Sequence, residues 1–150
     1  MRAFVRARWG DEIVVGHGAV YRPHQLPGLL VTDGGEIVGL LTYTIEADAC
    51  EIVTIDALVE GSGVGSMLLV AVENVAREAG CARLWLITTN DNVRAQGFYR
   101  ANGFEVVAVH EGAVATSRER KPSIPLVNEV GVPIEDEIEM DRQLSPGRGR

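Results

Sequence analysis

No stretch of this 150-residue chain stays apolar for the length that a membrane span requires. The basic opening, Met1-Arg2-Ala3-Phe4-Val5-Arg6-Ala7-Arg8, lacks the apolar core and small-residue cleavage site of a secretory signal. The chain is therefore expected to work in the cytoplasm. The only cysteines are Cys50 and Cys81, and each lies in or beside a strand-like run, where buried free thiols are common. Two reduced, structural thiols are expected. His17, His24 and His110 are too scattered to gather around a metal ion, so no metal site is expected. Positive charge is in deficit: the net charge is -7, and the Lys and Arg residues form no stripe. That balance speaks against a nucleic-acid surface and favours neutral or cationic substrates. Repeats and low-complexity segments are also missing, and 150 residues suffice for one domain with a sizeable core.

What is present reads as an alternation of strands and helices. Residues 3–8 suggest a short strand, Trp9 to Val15 a brief helix or extended piece, and Gly16 to Gly28, rich in Gly and Pro, an irregular segment. Leu29–Thr32 and Glu36–Ile45 are strand-like and joined by Asp33-Gly34-Gly35, a hairpin signal because such turns need positive φ. A third strand is expected over Glu51–Val59. Val64, Met67, Leu68, Ala71, Val72, Val75 and Ala79 then recur at helical spacing, up to a stop at Gly80. Arg83–Thr88 reads as a buried strand. Asn90-Asp91-Asn92 caps a second helix, which runs to about Ala101 and ends at Gly103. Phe104–His110 is a strand, 111–133 a long loop, and Ile134–Leu144 a closing strand. The basic cluster Arg118, Arg120 and Lys121 falls in that loop. Glu135, Asp136, Glu137, Glu139 and Asp141 read as a solvated strand face. One domain over 1–144 with a disordered tail over 145–150 is expected.

The feature richest in chemistry is Val59-Glu60-Gly61-Ser62-Gly63-Val64-Gly65-Ser66, where a strand gives way to a helix through alternating glycines. Glycines let consecutive backbone N–H groups face a ligand, and the helix that follows adds its unsatisfied first-turn donors and positive dipole end. A nucleotide hydrolase loop would place a lysine after the last glycine, but Ser66 is followed by Met67. A dinucleotide fingerprint spaces its glycines differently, and Leu84-Trp85-Leu86-Ile87-Thr88-Thr89 offers no acid for a ribose. A nucleotide-binding oxidoreductase is thus a distant alternative.

A second constellation, Asn92-x-x-Ala95-x-x-Phe98-Tyr99-x-x-x-Gly103-Phe104, follows the glycine turn. With it the chain resembles the GNAT superfamily of acetyl-CoA-dependent N-acetyltransferases, most specifically over residues 51–110. The resemblance implies an α/β fold of the α+β kind, with a central mixed sheet flanked by helices and a reduced N-terminal helical region. It implies acetyl-CoA as cosubstrate and a primary amine of a small molecule or peptide as acceptor. No nucleic acid or membrane is implied as partner, and a homodimer is compatible. The pyrophosphate would rest on Gly61, Ser62, Gly63, Val64, Gly65 and Ser66. The backbone N–H of Leu58 or Val59 would meet the thioester carbonyl, and Asn92, Ala95, Phe98 and Tyr99 would line the pantetheine arm. Glu60 and Ser62 replace the Gln, Arg or Lys usual in this loop, leaving phosphate binding to backbone donors and to Arg94 or Arg100.

Acetyl transfer to an amine needs a neutral nucleophile, a stabilised oxyanion and a proton for the departing thiolate. The resemblance implies Tyr99 as general acid and a carboxylate on the third strand as base. Glu51 and Asp56 both lie there, on opposite faces by strict alternation. The Glu51-Ile52-Val53 opening is similar to the catalytic strand of histone acetyltransferases, which favours Glu51. Asp136 is a further candidate. Residues 9–28 look too short for the usual helical pair, and the 111–133 segment, with Arg118, Arg120, Lys121, Pro122 and Pro125, is the candidate acceptor wall. A non-catalytic acyl-CoA sensor with the same fold is the alternative.

Overall fold

A computed structural model describes residues 13–58 and 61–144. The expected strand over 3–8, the start of the piece led by Trp9, Val59, Glu60 and the 145–150 tail lie outside the described residues. The described strands are β1 (Val14–Gly16), β2 (Ala19–Tyr21), β3 (Gly28–Asp33), β4 (Glu36–Glu46), β5 (Ala49–Ala57), β6 (Arg83–Thr89), β7 (Glu105–His110) and β8 (Glu137–Gln143). The helices are α1 (Val64–Glu78), α2 (Val93–Ala101) and α3 (Ala113–Arg120), with a 3-10 turn over Pro23–Gln25. Six strands form a mixed sheet in the order β3-β4-β5-β6-β8-β7, the expected fold class. No helix among the described residues is long and apolar enough to cross a membrane.

The described residues fall into two compact units, one of 22–85 with 143–144, the other of 13–21 with 86–142. In the first, the antiparallel β3-β4 hairpin turns through Gly34 and Gly35 at φ 59° and 84°. Both values lie in the left-handed region, which is why glycine occupies both central positions. β4 continues into β5 through a turn at Ala47 and Asp48, and β5 contains a bulge. Thr42 stands opposite Thr54 and Tyr43 opposite Ile52, so Val53 is one residue too many. That extra residue reverses the alternation. Asp56, Thr54, Glu51 and Ala49 pair with Leu40, Thr42, Thr44 and Glu46, which alternate onto one face of β4. Glu51 and Asp56 therefore share a face, correcting the opposite parity that uninterrupted pleating predicts. A buried hydrogen bond of 2.6 Å between the Thr42 and Thr54 hydroxyls fixes the register beside the bulge.

The other face of β4 receives α1. Its buried side chains Val64, Leu68, Leu69, Val72 and Ala76 recur at helical spacing and pack on β3, β4 and β5. Gly39 permits the approach, since a Cβ there would overlap Val64 and lie 3.2 Å from Leu68. The helix stops at Gly80, where φ is 81°. Cys50 and Cys81 are buried free thiols, as expected.

In the second unit, the first part of the stretch expected to be irregular is ordered: Gly16 closes β1, and Ala19–Tyr21 pairs with it as β2 in a hairpin about His17 and Gly18, both at positive φ. The 111–133 segment is likewise no plain loop, because it contains α3. The helix escapes sequence reading because it has a Gly112 cap without a capping side chain and buries only Val114 and Ser117. Long-range partners hold it instead. Asp136 Oδ1 accepts from Gly112 N–H at 2.9 Å, placing a carboxylate at the helix start. Ser117 Oγ donates to Glu137 Oε2 at 2.7 Å, and the His17 N–H donates to Glu137 Oε1 at 2.9 Å. Glu137 is 3% exposed and Asp141 7%, so the last strand's acids are not all on a solvated face.

Gly39→Ala is expected to lower stability by about 1–3 kcal/mol, because Val64 and the first turn of α1 must move to admit the methyl group. A lower urea midpoint at unchanged m-value is the expected readout.

Candidate active site

The glycine turn sits at the head of α1, in the first unit. Gly61 has φ 71° and Gly63 φ 81°, conformations that disfavour a side chain, and a Cβ built on either meets nothing within 4 Å. Gly61, Ser62 and Gly63 are exposed, and Gly63 caps the helix without a side-chain hydrogen bond. The first helical hydrogen bond runs from Met67 N–H to the Gly63 carbonyl at 3.1 Å. The preceding N–H groups of α1 carry the unmatched partial charge of a 15-residue helix. Among the described residues, the side of the turn on which those Cβ atoms would stand is open.

Along β5 the polar row Glu51, Thr54 and Asp56 lies on the face away from α1. Glu51 is 6% exposed. Beyond the strand, the Leu58 N–H donates to the Val38 carbonyl at 2.9 Å, so it is engaged with β4 and not presented to a thioester. At the other end of β5 a cavity of about 340 Å³ opens between Thr44 and Glu46 of β4, Ala49 and Glu51 of β5, and Arg83 and Trp85 of β6. Its members from β4 and β5 belong to the face set by the bulge. The Arg83 guanidinium lies 5.0 Å from the centre of the Trp85 ring. Arg83 and Glu46 are not among the residues that the sequence motifs single out. The available signal was the spacing of Arg83 and Trp85, which puts both on one face while Leu84 and Leu86 are buried on the other.

The second motif lies in the other unit. Asn92 caps α2, its Oδ1 accepting from Ala95 N–H at 3.2 Å. Phe98 and Tyr99 follow on the helix, and the Tyr99 ring lies 5.4 Å from that of Phe98 and 5.8 Å from that of Phe104. Tyr99 is 8% exposed, and burial pushes its hydroxyl up to about 12. The phenol thus keeps its proton at neutral pH. The Gln96 Nε2 amide donates back to the Thr89 carbonyl at 3.1 Å and ties the helix to the end of β6.

Three other candidates have structural partners. Asp136 holds Gly112, as described, and its own N–H donates to Asn90 Oδ1 at 3.0 Å. Arg118 donates to the carbonyls of Ile124, Pro125 and Ile134, and Lys121 Nζ to that of Ile13 at 2.8 Å. These two cations staple the 111–133 segment rather than forming a free basic patch.

The sequence model of the acetyltransferase (GNAT) family matches residues 8–104, and this chain belongs to that family. It is 43% identical to the uncharacterized protein YdhI of Bacillus subtilis (strain 168), across 90% of this chain and 85% of that protein. Among solved structures, the ribosomal-protein-S18-alanine N-acetyltransferase from Escherichia coli superposes with a TM-score of 0.68 at 17% identity, covering 99% of this chain and 93% of that one. A GNAT family acetyltransferase from Elizabethkingia anophelis with acetyl-CoA bound gives 0.67 at 20% identity, covering 77% and 74%. At such identities the two structures share the fold alone.

Burial also predicts alkaline sensitivity. The Cys50 thiol is pushed up to about 12, by desolvation first and then by the neighbouring Cys81 and Glu51. Above the unfolded-state values of roughly 8.5 for Cys and 10 for Tyr, the unfolded chain loses protons that the folded chain retains, so stability falls as pH rises towards 12. Urea midpoints should decline from pH 8 to pH 11, and the decline should be shallower in Cys50→Ala and Tyr99→Phe.

Proposed function

We propose that this protein is an acetyl-CoA-dependent N-acetyltransferase acting on a primary amine of a small molecule or peptide. The observation that carries the reading is the uncapped glycine turn before α1, whose left-handed glycines leave room where side chains would stand. Backbone N–H groups from Gly61 to Ser66 would hold the pyrophosphate, with the helix dipole supplying the positive potential. The acetyl-CoA bound by the Elizabethkingia relative supports the same ligand here. Asn92, with its oxygen committed to the cap, has its amide nitrogen left as donor for the pantetheine arm, and Ala95 and Phe98 follow on the same helix.

Acetyl-CoA supplies the activated acetyl group. Glu51, buried on the face it shares with Asp56, is the base that takes a proton from the acceptor ammonium, directly or through water. Asp56 is the alternative base on that face. Tyr99 is the proton donor to the leaving sulfur. From a hydroxyl near 12, full transfer to a thiolate of ordinary pKa is uphill by roughly 5 kcal/mol, so Tyr99 acts first as a hydrogen-bond donor. Its burial keeps that donor loaded throughout the physiological range.

Titration calorimetry with acetyl-CoA should give saturable binding, and no heat at millimolar cofactor would remove the reading. Tyr99→Phe should lower kcat about 100-fold or more with acetyl-CoA affinity within twofold; unchanged turnover would remove Tyr99 from proton donation. Binding without transfer to any amine would favour an acyl-CoA sensor, the reading that the engagement of Leu58 N–H supports.

A further inference from the structure

The cavity at the β4-β5 turn is unlike the glycine turn in chemistry. It holds two carboxylates, Glu46 and Glu51, one guanidinium, Arg83, and one aromatic wall, Trp85. Its volume of about 340 Å³ lies near the lower end of small-molecule sites, roughly 300–1,000 Å³. The lining carries a net negative charge, in a chain whose total is already -7. Glu51 is buried and Glu46 exposed at the turn, so the carboxylates stand at different depths. The Trp85 ring already takes one cation near its face, the Arg83 guanidinium. These features fit a ligand that is small and positively charged.

We propose that this cavity is the acceptor site and that its ligand is a small amine with two positive charges. The amine to be acetylated meets Glu51, the second charge meets Glu46 at the rim, and the connecting methylenes lie along Trp85. Glu46 is then a specificity-determining residue. The assignment rests on the transferase reading for Glu51, but the binding half of it stands separately. Strand geometry supports the division of labour. Glu51 and Ala57 are near opposite ends of β5, about 20 Å apart at roughly 3.3 Å per residue. The acceptor thus enters at the end of the strand opposite to the glycine turn. The bulge at Val53 is what turns Glu51 onto the cavity face with Thr44 and Glu46.

The experiment uses 1,4-diaminobutane, 1-aminobutane and 4-aminobutanoate as probes. Binding is followed by tryptophan fluorescence in a Trp9→Phe background, which leaves Trp85 as the sole reporter. Acetyl transfer from acetyl-CoA is followed in parallel. The diamine should bind most tightly and show the highest kcat/KM, with the aminocarboxylate weakest. Glu46→Gln should raise KM for the diamine about threefold to tenfold, and raise it more than KM for 1-aminobutane, so that the preference for the diamine narrows. Glu46→Lys should raise the diamine KM further and narrow or reverse the preference over the aminocarboxylate. Equal response to the three probes, or a diamine KM untouched by both Glu46 variants while transfer proceeds, would overturn the acceptor assignment and leave the transferase reading standing. Diamine binding sensitive to Glu46 without any acetyl transfer would overturn the transferase reading and keep the site.

Discussion

The arrangement of polar groups in the first unit depends on one extra residue. Val53 interrupts the pairing of β5 with β4, and the Thr42–Thr54 hydroxyl pair holds the strands in register beside it. A buried hydroxyl pair is costly to break, because each oxygen would lose its partner without gaining water. The bulge is thereby fixed in place, and with it the face to which every residue of β5 on the Ala49 side belongs. Without it, Glu51 would point towards the side on which α1 packs, where a carboxylate has no place among Val64, Leu68 and Val72. Thr44, Glu46, Ala49 and Glu51 instead collect on the opposite face with Arg83 and Trp85.

The side of β4 facing α1 is governed by steric economy rather than polarity. Gly39 lets α1 come close enough for Val64 and Leu68 to bury themselves, and the glycine turn that leads into this helix stays open on its outer side. One helix thus has two requirements, tight packing along its length and exposed backbone donors at its start. They are compatible because they fall on different parts of it. The absence of a capping side chain at Gly63 would be a defect in a purely structural helix. In the proposed role it would leave the first N–H groups of α1 to the cofactor's phosphates.

The second unit is organised around buried acids of the closing strand. Glu137 accepts from Ser117 of α3 and from the backbone of His17 in the β1-β2 turn, joining segments 100 or more residues apart in sequence for the latter pair. Asn90 acts similarly through its side chain, donating to the Pro133 carbonyl and accepting from Glu135 and Asp136 N–H. These contacts explain why the 111–136 region, with little helical or strand signal of its own, has defined structure. They also place Arg118 and Lys121 among structural residues.

Local chemistry made much of this legible in the sequence. Asp33-Gly34-Gly35 announced its hairpin through the need for positive φ, the apolar spacing from Val64 onward announced α1, and Asn92 and Gly103 marked the ends of α2. Those signals lie within a few residues of the structure they specify. The paired motifs around Gly61 and Tyr99 pointed to the acetyltransferase family for the same reason, since each packs its chemistry into one contiguous turn. The tertiary structure alone decided the rest. A bulge depends on the register of two strands, so the shared face of Glu51 and Asp56 could not be read from alternation in one of them. α3 exists because Glu137 and Asp136 receive it, and the cavity exists because three strands align their ends. In each case the determining partner is distant in the chain, and sequence periodicity carries no record of it.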